Sequence, residues 1–347
     1  MKKKIKTLQL SLVLVVIFWV CILNTQIYNT QQENNMGGMN TKDESYLKNP
    51  HISKSWWDNF TFIHITEANW SIAASYEWCR GDGSSSNPYI IENITIDASS
   101  SPTGSGIYIQ DSKNVYFVIR NCTVNNAPDK ADQGGIKLEN VNNGTIIENY
   151  CNDNEKYGIL LLGDSGNCEN NTVLENTANN NLVGIVLQEN CNHNNISGNL
   201  VNGNANAGIV LDLSDYNNLT GNTANNNYMG IYLQDSDRNN ITENTANYNT
   251  FGITLGVSVD SSDYNWVINN TLIGNHIAIE EYDGVGNVIK GNTIIPPSSG
   301  GSGGDDDNDN NNNKEASIPG YDLLLIIGLI SIMTIVLLIP IEKNKFK

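Results

Sequence analysis

A four-residue phrase recurs through the middle of the chain and limits what it can fold into. Gly-Ile-x-Leu, or Gly-Ile-x-Ile in the first copy, begins at Gly106, Gly135, Gly158, Gly184, Gly208, Gly230 and Gly252. The steps between copies are 29, 23, 26, 24, 22 and 22 residues, and a degenerate eighth copy, His276-Ile277-Ala278-Ile279, follows 24 residues later. Each unit also holds a second short apolar run, such as Ile241-Thr242-Glu243-Asn244. Neither run has the roughly 10 residues a helix needs. The residues between them are Asn, Asp, Ser and Gly, which favour turns because they tolerate left-handed backbone or bond their own main chain. One such unit cannot bury its apolar side, whereas a stack of them can, with strands pairing in parallel from coil to coil.

Aligning the units on the second run assigns positions within a coil. Ile146, Val173, Ile196, Leu219, Ile241 and Val267 form an inward column. Three residues on come Asn149, Asn176, Asn199, Asn222, Asn244 and Asn270, a column able to form a hydrogen-bonded ladder between coils. Five residues before the anchor, Val141, Cys168, Cys191, Ser214, Ser236 and Ser262 mark a tight inward turn.

The ends differ from the body. Residues 1–24 carry a Lys-rich start and an apolar run from Leu8 to Leu23, an export signal that is either cleaved or kept as an anchor. Residues 25–50 are a polar leader. Residues 51–96 hold four of the six tryptophans, Trp56, Trp57, Trp70 and Trp78. They are assigned as an N-terminal cap with the first coils, since an open solenoid edge must be covered; a sugar-stacking platform is the other use for such rings. The repeats occupy 97–295, and 296–320 is a Ser/Gly/Asp/Asn spacer. Residues 321–347 contain an apolar segment, Leu323 to Ile341, ending in Glu342-Lys343-Asn344-Lys345-Phe346-Lys347. At 1.5 Å per residue such a segment reaches roughly 28 Å, enough for a bilayer, and the basic end orients it with the body outside the cell.

The formal charge of −18 and only three arginines argue against nucleic acid as a partner. The acidic surface is compatible with Ca²⁺, but no cofactor is assigned. The chemistry-bearing residues cluster just after the Gly-Ile-x-Leu strand: Gln188, Asp212 and Gln234, with Glu189, Asp235, Asp237 and Arg238 beside them. Asp212, Asp235, Asp237 and Arg238 are the catalytic candidates if there is a site; no metal ligand set is assigned. Cys168 and Cys191 share a column in adjacent coils, so they are either a disulfide or two stacked buried thiols. Asn-x-Ser/Thr sequons, candidate glycan acceptors on an exported chain, occur at Asn59, Asn69, Asn93, Asn121, Asn143, Asn170, Asn195, Asn218, Asn240 and Asn269.

The Gly-Ile-x-Leu units with Asn-rich turns resemble the right-handed parallel β-helix repeat family, which includes NosD-type proteins and the carbohydrate-binding and sugar-hydrolase class. The tail, with its acidic spacer, Pro319-Gly320-Tyr321, apolar span and basic end, resembles archaeal surface-protein anchoring tails. The resemblance implies an all-β solenoid of about nine or ten coils, roughly 45 Å long, plus terminal apolar helices. NosD-type proteins are linked by name to copper-enzyme maturation. Copper requires clustered His, Met or thiolate, which this sequence does not display, so that role is not carried over. The motifs of β-helix polygalacturonases, Gly-Asp-Asp, Gly-His-Gly and Arg-Ile-Lys, are also missing from the repeats at 97–295. The expectation is a surface-anchored β-helix, structural or carbohydrate-interacting, with polysaccharide or surface glycan as partner. A polysaccharide lyase or hydrolase, or an adhesion or envelope-layer component, is the alternative.

Overall fold

The computed structural model describes residues 57–257 and 261–297. The expected export signal, leader, spacer and apolar terminal segments lie outside them. Among the described residues, no helix is long and apolar enough to cross a membrane.

The Gly-Ile-x-Leu runs form one face of a parallel β-solenoid. Nine strands stack in the order of the sequence: Ile63–Thr66, Ile107–Gln110, Gly134–Glu139, Tyr157–Leu162, Val183–Gln188, Ala207–Asp212, Met229–Gln234, Phe251–Leu255 and Ile277–Glu281. They enclose eight turns between them, and at ~4.8 Å per turn the body is about 38 Å long. The count falls short of nine or ten because the earliest segment spends its residues on a cap. The second apolar runs form the second face, from Tyr89–Glu92 to Val288–Lys290, every pairing parallel except that of the short strand Cys79–Arg80. The third face is thinner. A three-stranded start is continued by single bridges, Tyr150 to Thr177 to Leu200 to Thr223 to Thr245 to Thr271.

The anchor column pairs residue for residue, Ile146 with Val173, Ile196, Leu219, Ile241 and Val267 in turn, and all six are fully buried. Gly230 explains why the phrase opens on glycine. Its missing Cβ would point into the core, 2.5 Å from the Gly252 carbonyl oxygen and 2.8 Å from the Ala246 Cβ. The corner after the second face is a column of left-handed residues, Asn93, Asn121, Glu148, Glu175, Gly198, Gly221, Glu243, Asn269 and Gly291, with φ between 50° and 69°. Asn and Gly suit that backbone; the three glutamates are held there by the coils on either side.

Buried asparagine ladders hold the coils together, and among the described residues there are three of them where the sequence pointed to one. The expected ladder runs Asn149, Asn176, Asn199, Asn222, Asn244 and Asn270 and extends to Asn292. Each amide reaches back to the previous coil. The Asn222 Oδ1 accepts the Asn199 backbone N–H at 3.0 Å, and its Nδ2 donates to the Ile196 carbonyl at 2.8 Å. A second ladder comprises Asn154, Asn181, Asn204, Asn227, Asn249 and Asn275. A third comprises Asn171, Asn194, Asn217, Asn239, Asn265 and Asn287. The inside of every corner thus carries backbone polar groups that would otherwise be buried unpaired.

A second apolar cluster lies outside the core. Leu160, Leu162, Val183, Val186, Ala207 and Met229 pack together, with Val210, Tyr232 and Phe251 beside them. These residues alternate with the inward Ile and Leu of the first face, so several of its strands are apolar on both sides.

The ladders make a direct prediction. Asn222→Ala removes the partners of one buried N–H and one buried carbonyl and is expected to cost roughly 2–4 kcal/mol. Asn225 is only partly buried and accepts the Asn247 N–H at 2.8 Å. Water can replace that bond, so Asn225→Ala is expected to cost less than about 1 kcal/mol. Chemical denaturation of the two variants measures the difference.

Candidate functional site

The corner singled out in the sequence is assembled in register but divided in role. Gln188, Asp212 and Gln234 occupy one column of adjacent strands. Glu189 and Asp235 follow at the corner in left-handed conformation, φ 55° and 44°. Burial, then the Asp164 and Asp132 charges, push the Glu189 carboxyl above its ordinary range. Asp237 and Arg238 belong to a different column. The Asp237 carboxylate accepts the Asp263 backbone N–H at 2.7 Å, while its own N–H donates to Asp215 at 2.7 Å. The Arg238 guanidinium lies over Tyr216 at 5.6 Å and Tyr264 at 5.2 Å, and His193 stacks on Tyr216 at 5.0 Å. Asp237 and Arg238 are therefore occupied in holding coils together. Among the described residues, no group of three or more His, Cys, Asp and Glu could hold a metal ion.

The structure brings together a different set on the outer side of the first three coils. His64, Tyr108 and Lys137 stand in one column, with Gln110 and Glu139 two residues on. Glu139 is the hub. It is ion-paired with Lys137 at 2.5 Å, accepts the Tyr108 hydroxyl at 2.7 Å and accepts the Gln110 amide at 3.3 Å. The Lys137 ammonium also sits over the Tyr108 ring at 4.8 Å, and His64 stacks on the other side at 4.5 Å. The His64 Nε2 meets Gln110 Oε1 at 3.3 Å. Lys137 is 3% exposed, so this is a desolvated charge held by its partner. Burial, then the neighbouring Glu139, raise the Tyr108 phenol far above its usual range and keep it a donor. For Glu139 burial is the largest influence and acts upward. The Lys137 and Tyr108 hydrogen bonds, with the Lys137 charge and the Gln110 bond, outweigh it and hold the carboxyl below its ordinary value. The signal in the sequence was Lys137 itself, the one charge at the variable position of the phrase in the seven full copies.

His64 also borders an aromatic cleft at the capped end. The cap is built on Trp70, which stacks on Tyr89 at 4.8 Å and donates through Nε1 to Ser112 Oγ at 2.5 Å. Beside it, Phe60, Ser75, Tyr76, Glu77 and Trp78 line an open hollow of about 520 Å³. A smaller one adjoins it and reaches Phe62, His64 and Ile72. Tyr76 and Trp78 stack at 5.8 Å and 9°, and Tyr76 is 55% exposed. The tryptophan-rich segment thus divides its rings, with Trp70 closing the core and Trp78 lining the hollow.

Cys168 and Cys191 lie buried in adjacent coils and both are thiols here. Burial, then the Cys168 sulfur, push the Cys191 thiol well up. Of the sequon residues, Asn195, Asn218 and Asn240 stand directly above one another and bond side chain to side chain at 3.0 and 2.8 Å. Asn93, Asn121, Asn170 and Asn269 sit exposed at left-handed corners. Asn143 is half-buried at another such corner, and Asn69 is half-buried in the cap. The Asn59 side chain lies outside the described set.

The Glu139 hub sets a pH dependence. Its folded value lies below the unfolded one near 4.5, so its contribution to stability is present above that pH and lost as pH falls through the depressed value. On acidification below about pH 4.5 the denaturation midpoint is expected to fall further for the native chain than for Glu139→Gln.

The comparisons with known proteins follow this geometry. A solved periplasmic alginate epimerase, AlgG, matches with a TM-score of 0.50 and 21% identity over 59% of this chain and 50% of its own, so the chain spans half of that structure. Pectate lyase Pel9A matches at 0.46 and 13% identity over 70% and 69%, and PfbA, a surface adhesin of Streptococcus pneumoniae, at 0.43 and 18% over 59% and 60%. At these identities the likeness is one of fold. No curated protein sequence matches the chain. The family model for periplasmic copper-binding protein (NosD) matches residues 91–293. The described residues do not fit copper. His64 lies on the first strand of the first face, His193 at a mid-body corner and His276 at the last coil. The thiols of Cys79, Cys122, Cys151, Cys168 and Cys191 are all buried. Copper needs such groups to converge on one point. The match spans more than half of the 347 residues, and the chain belongs to the NosD family of parallel β-helix proteins.

Proposed function

We propose that this chain is an extracytoplasmic β-solenoid that engages carbohydrate at its capped end. The apolar segment at residues 323–341 would tether it to a membrane, with the body outside the cell. The observation that carries the reading is the stack of exposed Tyr76 on half-buried Trp78 beside Glu77, in a hollow whose neighbour reaches His64. Sugar rings bind on exposed aromatic faces with a few fixed polar groups to orient their hydroxyls. The chain supplies the rings from the cap and the polar groups from Glu77, His64 and Gln110. An alginate epimerase shares the fold, which supports the class of partner and no more.

A catalytic reading rests on the Tyr108–Glu139–Lys137 network. It combines an ionised carboxylate, a protonated phenol and a buried ammonium on one side of a sheet. That set has the components for proton transfer beside an acidic sugar, as in a polysaccharide lyase or hydrolase. Asp237 and Arg238 contact neighbouring coils farther along the solenoid and are not part of this network.

Calorimetry of the full chain in mild detergent against a panel of neutral and acidic polysaccharides tests both readings. Binding is expected, with a drop of at least tenfold in Trp78→Ala and Tyr76→Ala. New unsaturated or reducing ends that depend on Tyr108 would move the assignment to an enzyme. Unchanged affinity in Trp78→Ala, or no binding across the panel, rules out the cleft as the site.

A further inference from the structure

The two ends of the solenoid are finished differently. Trp70 and the segment around it close the first end. Among the described residues, the last turn, Ile277–Glu281, Val288–Lys290 and Thr293–Ile295, pairs on one side only, and each of its strands is the terminal member of its sheet. The inward columns are bare there. Val267 is fully buried, and its successor Ile289 is 38% exposed; Leu272 is fully buried, and its successor Ile294 is 51% exposed. Ile279 continues the buried Ile253 and is itself only half-buried. Residues 298–315 are Ser, Gly, Asp, Asn, Lys and Glu alone, so the 18 residues directly after this end carry no apolar side chain to lay over it.

We propose that this end binds a second copy of the chain, end to end, about a two-fold axis perpendicular to the long direction of the solenoid. The register of the last turn selects that occupant. A two-fold axis lays one face on its own copy and exchanges the other two. The five-residue strand Ile277–Glu281 then pairs with itself, and the three-residue strands Val288–Lys290 and Thr293–Ile295 pair with each other. Facing ends run antiparallel, so Ile279 meets its own copy, Glu280 meets Ala278, and Glu281 meets Ile277. The acidic residues are thereby kept apart, which matters because like charges directly opposite destabilise a pair. On the exchanged faces Ile289 meets Ile294, Val288 meets Ile295, and Lys290 meets Thr293. Every exposed inward isoleucine is covered, and open strand edges gain partners. Because the other end is capped, association stops at two. The contact is limited to one coil's cross-section, in the range of weak, concentration-dependent interfaces.

The experiment is sedimentation equilibrium of the full-length chain in mild detergent over a wide concentration range. It is joined by thiol cross-linking of mixed Lys290→Cys and Thr293→Cys chains. The expected result is a monomer–dimer equilibrium with no larger species. Ile294→Lys, at a position already exposed and so without effect on the far-ultraviolet circular dichroism, is expected to be monomeric throughout. The cysteine variants are expected to cross-link when mixed several-fold more than either does alone, since opposed Cα atoms on paired strands fall in disulfide range. A chain that is monomeric at all concentrations overturns the proposal. So do a ladder of higher oligomers, and dimers that survive Ile294→Lys, which would assign association to the apolar terminal segments.

Discussion

The structure depends on the side-chain amide of asparagine used as a piece of backbone. A coil of 22 to 29 residues turns three sharp corners, and each corner points backbone N–H and C=O groups into a narrow apolar interior. An unpaired group there costs on the order of 1–3 kcal/mol. Asparagine carries one acceptor and two donors at a reach that matches the coil spacing. A single amide therefore satisfies an N–H and a C=O of the preceding coil, as Asn222 does for Asn199 and Ile196. Repeated at all three corners, this fixes the register of every coil. The ladders are incomplete at Asn204 and Asn217, whose Nδ2 atoms have no partner.

That arrangement separates the surface of the solenoid from its stability. With the corners satisfied internally, outward positions are free to vary, and they do so along the molecule. The first three coils carry His64, Tyr108, Gln110, Lys137 and Glu139 on the outer side of the first face. The middle coils replace them with Leu160, Val186 and Val210. The polar network adjoins the aromatic hollow because the cap rests on those same first coils, so rings and charges from distant parts of the chain meet at one end.

Much of the fold was legible because its period is local. The inward anchor column, the small turn column and one asparagine ladder could be read by aligning units on Ile146, Val173 and their successors. The other two ladders lie at fixed offsets from the same anchors, eight residues after and two before, but asparagine also fills the turn positions around them, such as Asn179, Asn202 and Asn225, and composition does not tell a buried amide from an exposed one. The candidate site was less legible. Gln188, Asp212 and Gln234 share one column, as their spacing indicates, and the nearby Asp237 and Arg238 contact neighbouring coils. Asp237 accepts a backbone N–H, and Arg238 lies between two tyrosines, contacts that depend on residues 22 to 26 positions away. The His64–Tyr108–Glu139 network joins residues from three strands, two of them separated from the third by the cap, and no spacing rule links them.

By itself the sequence determined the architecture. A repeated strand phrase too short for a helix, spaced by turn residues and padded with asparagine, buries its apolar side only as a stacked parallel coil. What the tertiary structure decided is where chemistry can happen. Coil stacking set which acidic residues are spent on backbone N–H groups, and packing of the cap on the first coils put Tyr76, Trp78 and His64 around one hollow. The termination of the last turn left Ile289 and Ile294 uncovered. These outcomes rest on the same physical fact: neighbours in a solenoid are one coil apart in space and two dozen residues apart in sequence.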